Sequence, residues 1–158
     1  MQSTADAATS SPSIDRLLAY ENAELIARLQ NELGIGRVEA LALFDDTKRF
    51  LYLCGTMPPP LTPPERIDEC WHHFILFTQD YASFCQRYFG RFIHHLPKSP
   101  EDTARSDGGV VRTTLAHART MFGDPLPANW NFGQGTSCNE KCSPSSSCET
   151  PTCTSDGR

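Results

Sequence analysis

The amino-acid sequence predicts an all-α protein, a compact bundle of about five helices between a disordered N-terminal leader and a disordered cysteine-bearing C-terminal tail. Three observations carry that prediction. Apolar residues recur at spacings of three and four through the middle of the chain, glycines and prolines fall where those stripes stop, and both ends lack apolar periodicity. At 158 residues and 39% hydrophobic content, the chain has enough apolar side chains for one core, so one domain is expected.

Residues 1–12 are mostly Ser, Thr, Ala and Gln with little to bury, so ordering them would cost entropy without repayment; they are read as the leader. From Ser13, the stripe Ile14, Leu17, Leu18, Leu25, Ile26, Leu29 and Leu33 predicts a first helix, capped at its C-terminus by Gly34. A second helix over about residues 38–54 carries Leu41, Phe44, Leu51 and Tyr52, and is expected to stop at Gly55 before the stiff Pro58-Pro59-Pro60 run. Thr62-Pro63-Pro64-Glu65 reads as a helix start, with Thr62 as the cap and Glu65 reaching back to it. The stripe that follows is Ile67, Trp71, Phe74, Ile75 and Thr78. Tyr81, Phe84, Cys85, Tyr88 and Phe89 continue to Gly90, either as a new helix capped by Thr78 or as a bent extension. Pro97 pushes Leu96 out of helical geometry, which places His94 and His95 near an element's end. Residues 98–109 read as a loop, and Val110, Val111, Leu115, Ala118 and Phe122 as a last helix ending at Gly123. Residues 124–130 form a proline-punctuated strap anchored by Trp130. The domain is therefore expected over 13–132 and the Ser/Thr/Pro/Cys tail over 133–158.

Charge and composition exclude several classes. With 14 Lys+Arg against 19 Asp+Glu, the net charge of −5 offers no basic field for counterion release, so nucleic acid is not an expected partner. Residues 1–13 lack the positive residue and apolar run of a secretory signal, and no stretch approaches the roughly 20 apolar residues of a membrane span. A cytoplasmic protein is expected, without a membrane partner. In that compartment seven cysteines read as reduced thiols or metal ligands, and an odd count cannot pair completely. Cys54, Cys70 and Cys85 lie within helical patterns, where a thiol packs as a small hydrophobe.

Asp68 and His72 are four apart in one predicted helix, so their side chains share a face one turn from each other. That face borders the stripe of Trp71, and a carboxylate drawn toward a core demands a partner. If the chain folds back after Gly90, His94 or His95 approaches the same face; one acid and two imidazoles then make a ligand set that suits zinc or ferrous iron. The same pair also reads as a hydrogen-bonded brace that fixes a histidine's tautomer, and the spacing matches neither His-Glu-x-x-His nor paired Cys-x-x-Cys. Cys70 and His73 form a second pair, pointing about a hundred degrees away and expected to be exposed. Cys85 is either a fourth ligand or a core thiol, and His117 has no visible partner. In the tail, Cys138-x3-Cys142-x5-Cys148-x4-Cys153 either wraps a soft metal ion or carries incidental thiols open to oxidation. No phosphate loop or nucleophile elbow is present.

The segment Ile67-Asp68-Glu69-Cys70-Trp71-His72-His73-Phe74-Ile75-Leu76-Phe77-Thr78, with Tyr81, Phe84-Cys85, Phe89-Gly90 and Phe92-Ile93-His94-His95-Leu96-Pro97, resembles the glycine-rich domain-containing protein-like family. The similarity covers roughly residues 15–132 and is most specific over 68–97. The resemblance implies a helical domain of unknown function with a shared set that falls here on Asp68, Trp71, His72, Tyr81, Cys85, His94 and His95. It implies Gly- and Cys-rich tails as well, whereas this tail has few glycines. Three functions are left to weigh. The chain is a helical module that binds a protein partner or scaffolds, with an Asp/His cluster open to a metal; or a metal-dependent enzyme using Asp68, His72 and His94 or His95; or a carrier of tail thiols for metal handling or redox use.

Overall fold

The computed structural model describes residues 13–96 and 108–132. Among the described residues there are six α-helices and no strand: α1 (Ile14–Leu18), α2 (Ala23–Leu33), α3 (Arg37–Thr56), α4 (Glu65–Ile75), α5 (Thr78–Phe89) and α6 (Gly108–Phe122). A short 3-10 turn, Ala128–Trp130, follows α6. The expected leader and tail lie outside the described residues, as does most of the expected 98–109 loop.

The single first helix of the sequence reading is two helices. The step from Leu18 to Leu25 keeps helical phase, which hid the break. Asn22 opens α2, its Oδ1 accepting the Leu25 N–H at 2.9 Å, and its Nδ2 donates to Asp80 on α5 at 3.0 Å. The carbonyls freed between α1 and α2 are not left bare: the Lys48 ammonium of α3 donates to Leu18 O and to Tyr20 O. That ammonium is buried and also meets Asp45 at 2.9 Å. Gly34 closes α2 in the left-handed region, φ 64°, as expected of a glycine cap.

α3 is the axis of the bundle, touching α1, α2, α4, α6 and the 3-10 turn. Contact on several sides explains why three consecutive polar residues, Asp46, Thr47 and Lys48, are buried within it. The helix runs through Gly55 instead of stopping there. What Gly55 supplies is space, because a Cβ at that position would collide with the Phe89 ring of α5.

The predicted capping box at Thr62 does not form. α4 begins at Glu65 with Pro64 as its N-cap and no side-chain cap. Thr62 is drawn inward instead, its N–H donating to the Thr114 hydroxyl of α6 at 3.1 Å, while its own Oγ1 is buried without a partner. α4 and α5 are separate helices, broken at Leu76 and Phe77; Phe77 is the N-cap of α5 and Thr78 its first residue. The interior between α3, α4 and α5 is aromatic, with Phe44, Phe74, Tyr81 and Phe84 meeting edge to face. Cys70 and Cys85 are fully buried there. For Cys70 this corrects the expected exposure, since α3 and α4 close over the face that carries it.

The strap behaves as the sequence predicts. Trp130 is buried, and its indole N–H donates to Asp46 Oδ1 at 3.1 Å; Asn129 Nδ2 donates to the other carboxylate oxygen at 2.9 Å.

Candidate metal centre

Two elements build the site. α4 presents Asp68 and His72 from consecutive turns, and the non-helical stretch after Gly90 brings back residues 91–96 alongside them. Along that stretch Ile93 and His95 turn inward while Phe92, His94 and Leu96 face outward. This period of two is that of an extended chain, and it decides which histidine arrives. His95 Nε2 lies 2.8 Å from Asp68 Oδ1. His94 is exposed, its ring against Phe92 at 4.8 Å, and lies outside the cluster. Of the four ligands anticipated, the geometry therefore gathers Asp68, His72 and His95.

His72 Nδ1 lies 2.7 Å from the Asp68 carbonyl oxygen and 3.5 Å from its Oδ2. The two imidazole rings stand 4.2 Å apart, centroid to centroid. One ligand atom from each of Asp68, His72 and His95 lies within 4.8 Å of the others. Tetrahedral zinc with bonds of about 2.0–2.2 Å spaces its ligands by about 3.3–3.6 Å, so side-chain rotation that draws the atoms together by about an ångström closes the set. Exposure is graded across it: the His95 side chain is 14% exposed, Asp68 36% and His72 57%. One wall is thus built into the protein and the other faces water.

Behind His95 lies a buried polar relay. The Trp71 indole N–H donates to the Tyr81 hydroxyl at 2.9 Å, and that hydroxyl donates to the Ile93 carbonyl at 2.6 Å. Trp71 also meets the His95 ring edge-on at 4.4 Å. Burial pushes the Tyr81 phenol well above its usual value, so it keeps its proton and stays a donor. Burial also raises the Cys85 thiol, against opposing hydrogen bonds from the Ile93 backbone and Tyr81. Cys85 is accordingly a buried neighbour of the relay, with no place in the ligand group.

His73 faces the other way, its Nδ1 accepting the Arg28 Nε–H of α2 at 3.1 Å. The tail thiols Cys138, Cys142, Cys148 and Cys153 lie outside the described residues. Two surface clefts, one of about 530 Å³ between α3 and the strap and one of about 460 Å³ beside Glu32 and Glu65, do not include Asp68, His72 or His95. Sequence reasoning missed Asp46, a buried carboxylate holding three donors; nothing near it in the chain announces partners more than eighty residues away.

A protein-family model described as UCP032817-like matches residues 24–120, and the chain belongs to that family, which is uncharacterised. The matched stretch runs from α2 through α6 and contains the whole Asp68, His72 and His95 cluster. The match carries the UCP032817-like description and not the glycine-rich domain name. No curated protein and no solved structure matches the chain.

Proposed function

We propose that this chain is a helical binding module whose Asp68, His72 and His95 take one divalent transition-metal ion, zinc or ferrous iron. The observation that carries the reading is the convergence of two imidazoles and one carboxylate, from elements 27 residues apart, to within 4.8 Å. Imidazole nitrogen with carboxylate oxygen is a donor set both ions accept, and three protein ligands leave coordination positions for water or a partner's side chain. Those positions would lie on the side of His72, where the cluster meets solvent.

In the metal-free protein the same groups satisfy one another. His95 donates to Asp68, and His72 Nδ1–H donates to the carbonyl one turn back. An ion would replace the proton that His95 shares with the Asp68 carboxylate and take one ring nitrogen of His72, which makes the cluster a brace without metal and a centre with it. The two clefts described above lie away from the cluster, and binding or scaffolding is the role we propose for it. A reducing cytoplasm is its proposed location, supported by the free thiols Cys54, Cys70 and Cys85.

Elemental analysis of the purified full chain, with Asp68→Ala and His72→Ala beside it and a melting curve for each, tests the proposal. Near-stoichiometric metal in the parent, lost in both variants, is the expected result. His72 is the sharper position, being exposed enough that its removal deletes a ligand with little change to the core. Metal-free parent protein whose melting temperature does not move with added zinc would overturn the reading. So would metal retained in both variants.

A further inference from the structure

We infer that the Tyr81 hydroxyl is a positioning residue for the metal ligand His95, acting through the Ile93 carbonyl; the inference rests on the metal-binding reading above. Asp68 and His72 need no such help, because both are fixed by α4 itself. His95 stands on a stretch outside any helix, after the Gly90 cap, where helical hydrogen bonds no longer hold the backbone. Within that stretch, Ile93 is buried and its carbonyl is gripped by Tyr81 at 2.6 Å. Two residues later in an extended chain the side chain points to the same side, so pinning Ile93 sets where His95 emerges.

Tyr81 is itself oriented. Trp71 donates to its oxygen at 2.9 Å, leaving the phenolic O–H to point at Ile93. The same indole lies edge-on to the His95 ring at 4.4 Å, so one side chain contacts both the relay and the ligand. Phe74 and Phe92 flank the Tyr81 ring at 5.1 Å and 5.2 Å, which holds the phenol in place by packing as well as by hydrogen bonding. Groups that orient metal-ligating histidines shift metal affinity by about 10- to 100-fold when removed.

The test uses the full chain carrying Cys138→Ser, Cys142→Ser, Cys148→Ser and Cys153→Ser, so that tail thiols do not compete for the ion. Zinc affinity is measured by competition with a chelating dye, and the site's symmetry by the visible absorption of bound cobalt(II), well below the melting temperature. Tyr81→Phe keeps the ring and removes only the hydroxyl. It is expected to weaken zinc binding by about tenfold or more and to alter the cobalt spectrum. Placed on His95→Ala, the same change is expected to add no further loss, because the residue through which Tyr81 acts is gone. Trp71→Phe, which breaks the first link and leaves the Tyr81 bond, gives a second reading if Tyr81→Phe does not fold; a smaller loss is expected of it. Wild-type affinity and spectrum in a folded Tyr81→Phe, or a loss that persists undiminished on His95→Ala, would overturn the inference while leaving the site intact. Failure of the unsubstituted background to bind zinc or cobalt at all would overturn the site and the inference together.

Discussion

Two aspartates show how much depends on a side chain's partners. Asp46 is 2% exposed and takes hydrogen bonds from Arg49 at 2.8 Å, Asn129 at 2.9 Å and Trp130 at 3.1 Å. Every partner turns an N–H toward the carboxylate, leaving no lone pair facing it for an ion to share, so Asp46 is an anchor for the strap. Asp68 is met by imidazoles, which are donors to a carboxylate and equally ligands to a metal. Asp46→Ala leaves the Trp130 indole and the Asn129 amide without their acceptor, and is expected to cost about 2–4 kcal/mol of stability. Urea denaturation measures it, and a loss under 1 kcal/mol would show that the strap does not depend on this carboxylate. The Asp68 and His72 pairing was legible in the sequence because four residues is one helical turn. Choosing between His94 and His95 was not, because it depends on which side of an extended chain faces α4. Asp46 was silent for a further reason: beside Asp45 on a helix it looks like part of a solvated face, and only the fold shows α3 enclosed there.

At the scale of elements, helix identity was easier to read than helix ends. Stripes in α2, α4 and α5 place Leu29, Trp71, Phe74 and Phe84 in the core, where they are found. Breaks depended on contacts from elsewhere in the chain. The gap between α1 and α2 is made tolerable by a lysine 28 and 30 residues further on, whose ammonium serves as acceptors' partner for two loose carbonyls. Gly55 looked like a stop signal and is a clearance for Phe89, a distinction only the approach of α5 to α3 reveals. Thr62 had a cap's sequence context but is bonded through its backbone to Thr114 on α6, a tie spanning 52 residues. Local chemistry thus proposed the right elements, and long-range satisfaction of polar groups set their limits.

For the whole molecule, no described helix is long and apolar enough to cross a membrane. Stability should carry a signature of the buried thiols. Burial pushes Cys70 from the ordinary 9.0 up to about 12, and Cys54 likewise up to about 12. The folded protein therefore keeps protons that the unfolded chain releases once pH passes 9, and stability must fall as pH rises from there toward 12. Cys70, fully buried, contributes a slope of about 1.4 kcal/mol per pH unit within that window. Denaturation at pH 8 and pH 10.5 should show a steeper decline for the parent than for Cys70→Ala; equal declines would contradict the assignment. The central claim, that α4 and the returning 91–96 stretch jointly make a metal centre, is tested most directly by X-ray absorption at the zinc edge on the zinc-loaded full chain with its four tail cysteines changed to serine. A first shell of nitrogen and oxygen at about 2.0–2.2 Å, with the outer scattering of two imidazoles that falls to one in His95→Ala, is the predicted result. Sulfur at about 2.3 Å, or a spectrum that His95→Ala leaves unchanged, would contradict it.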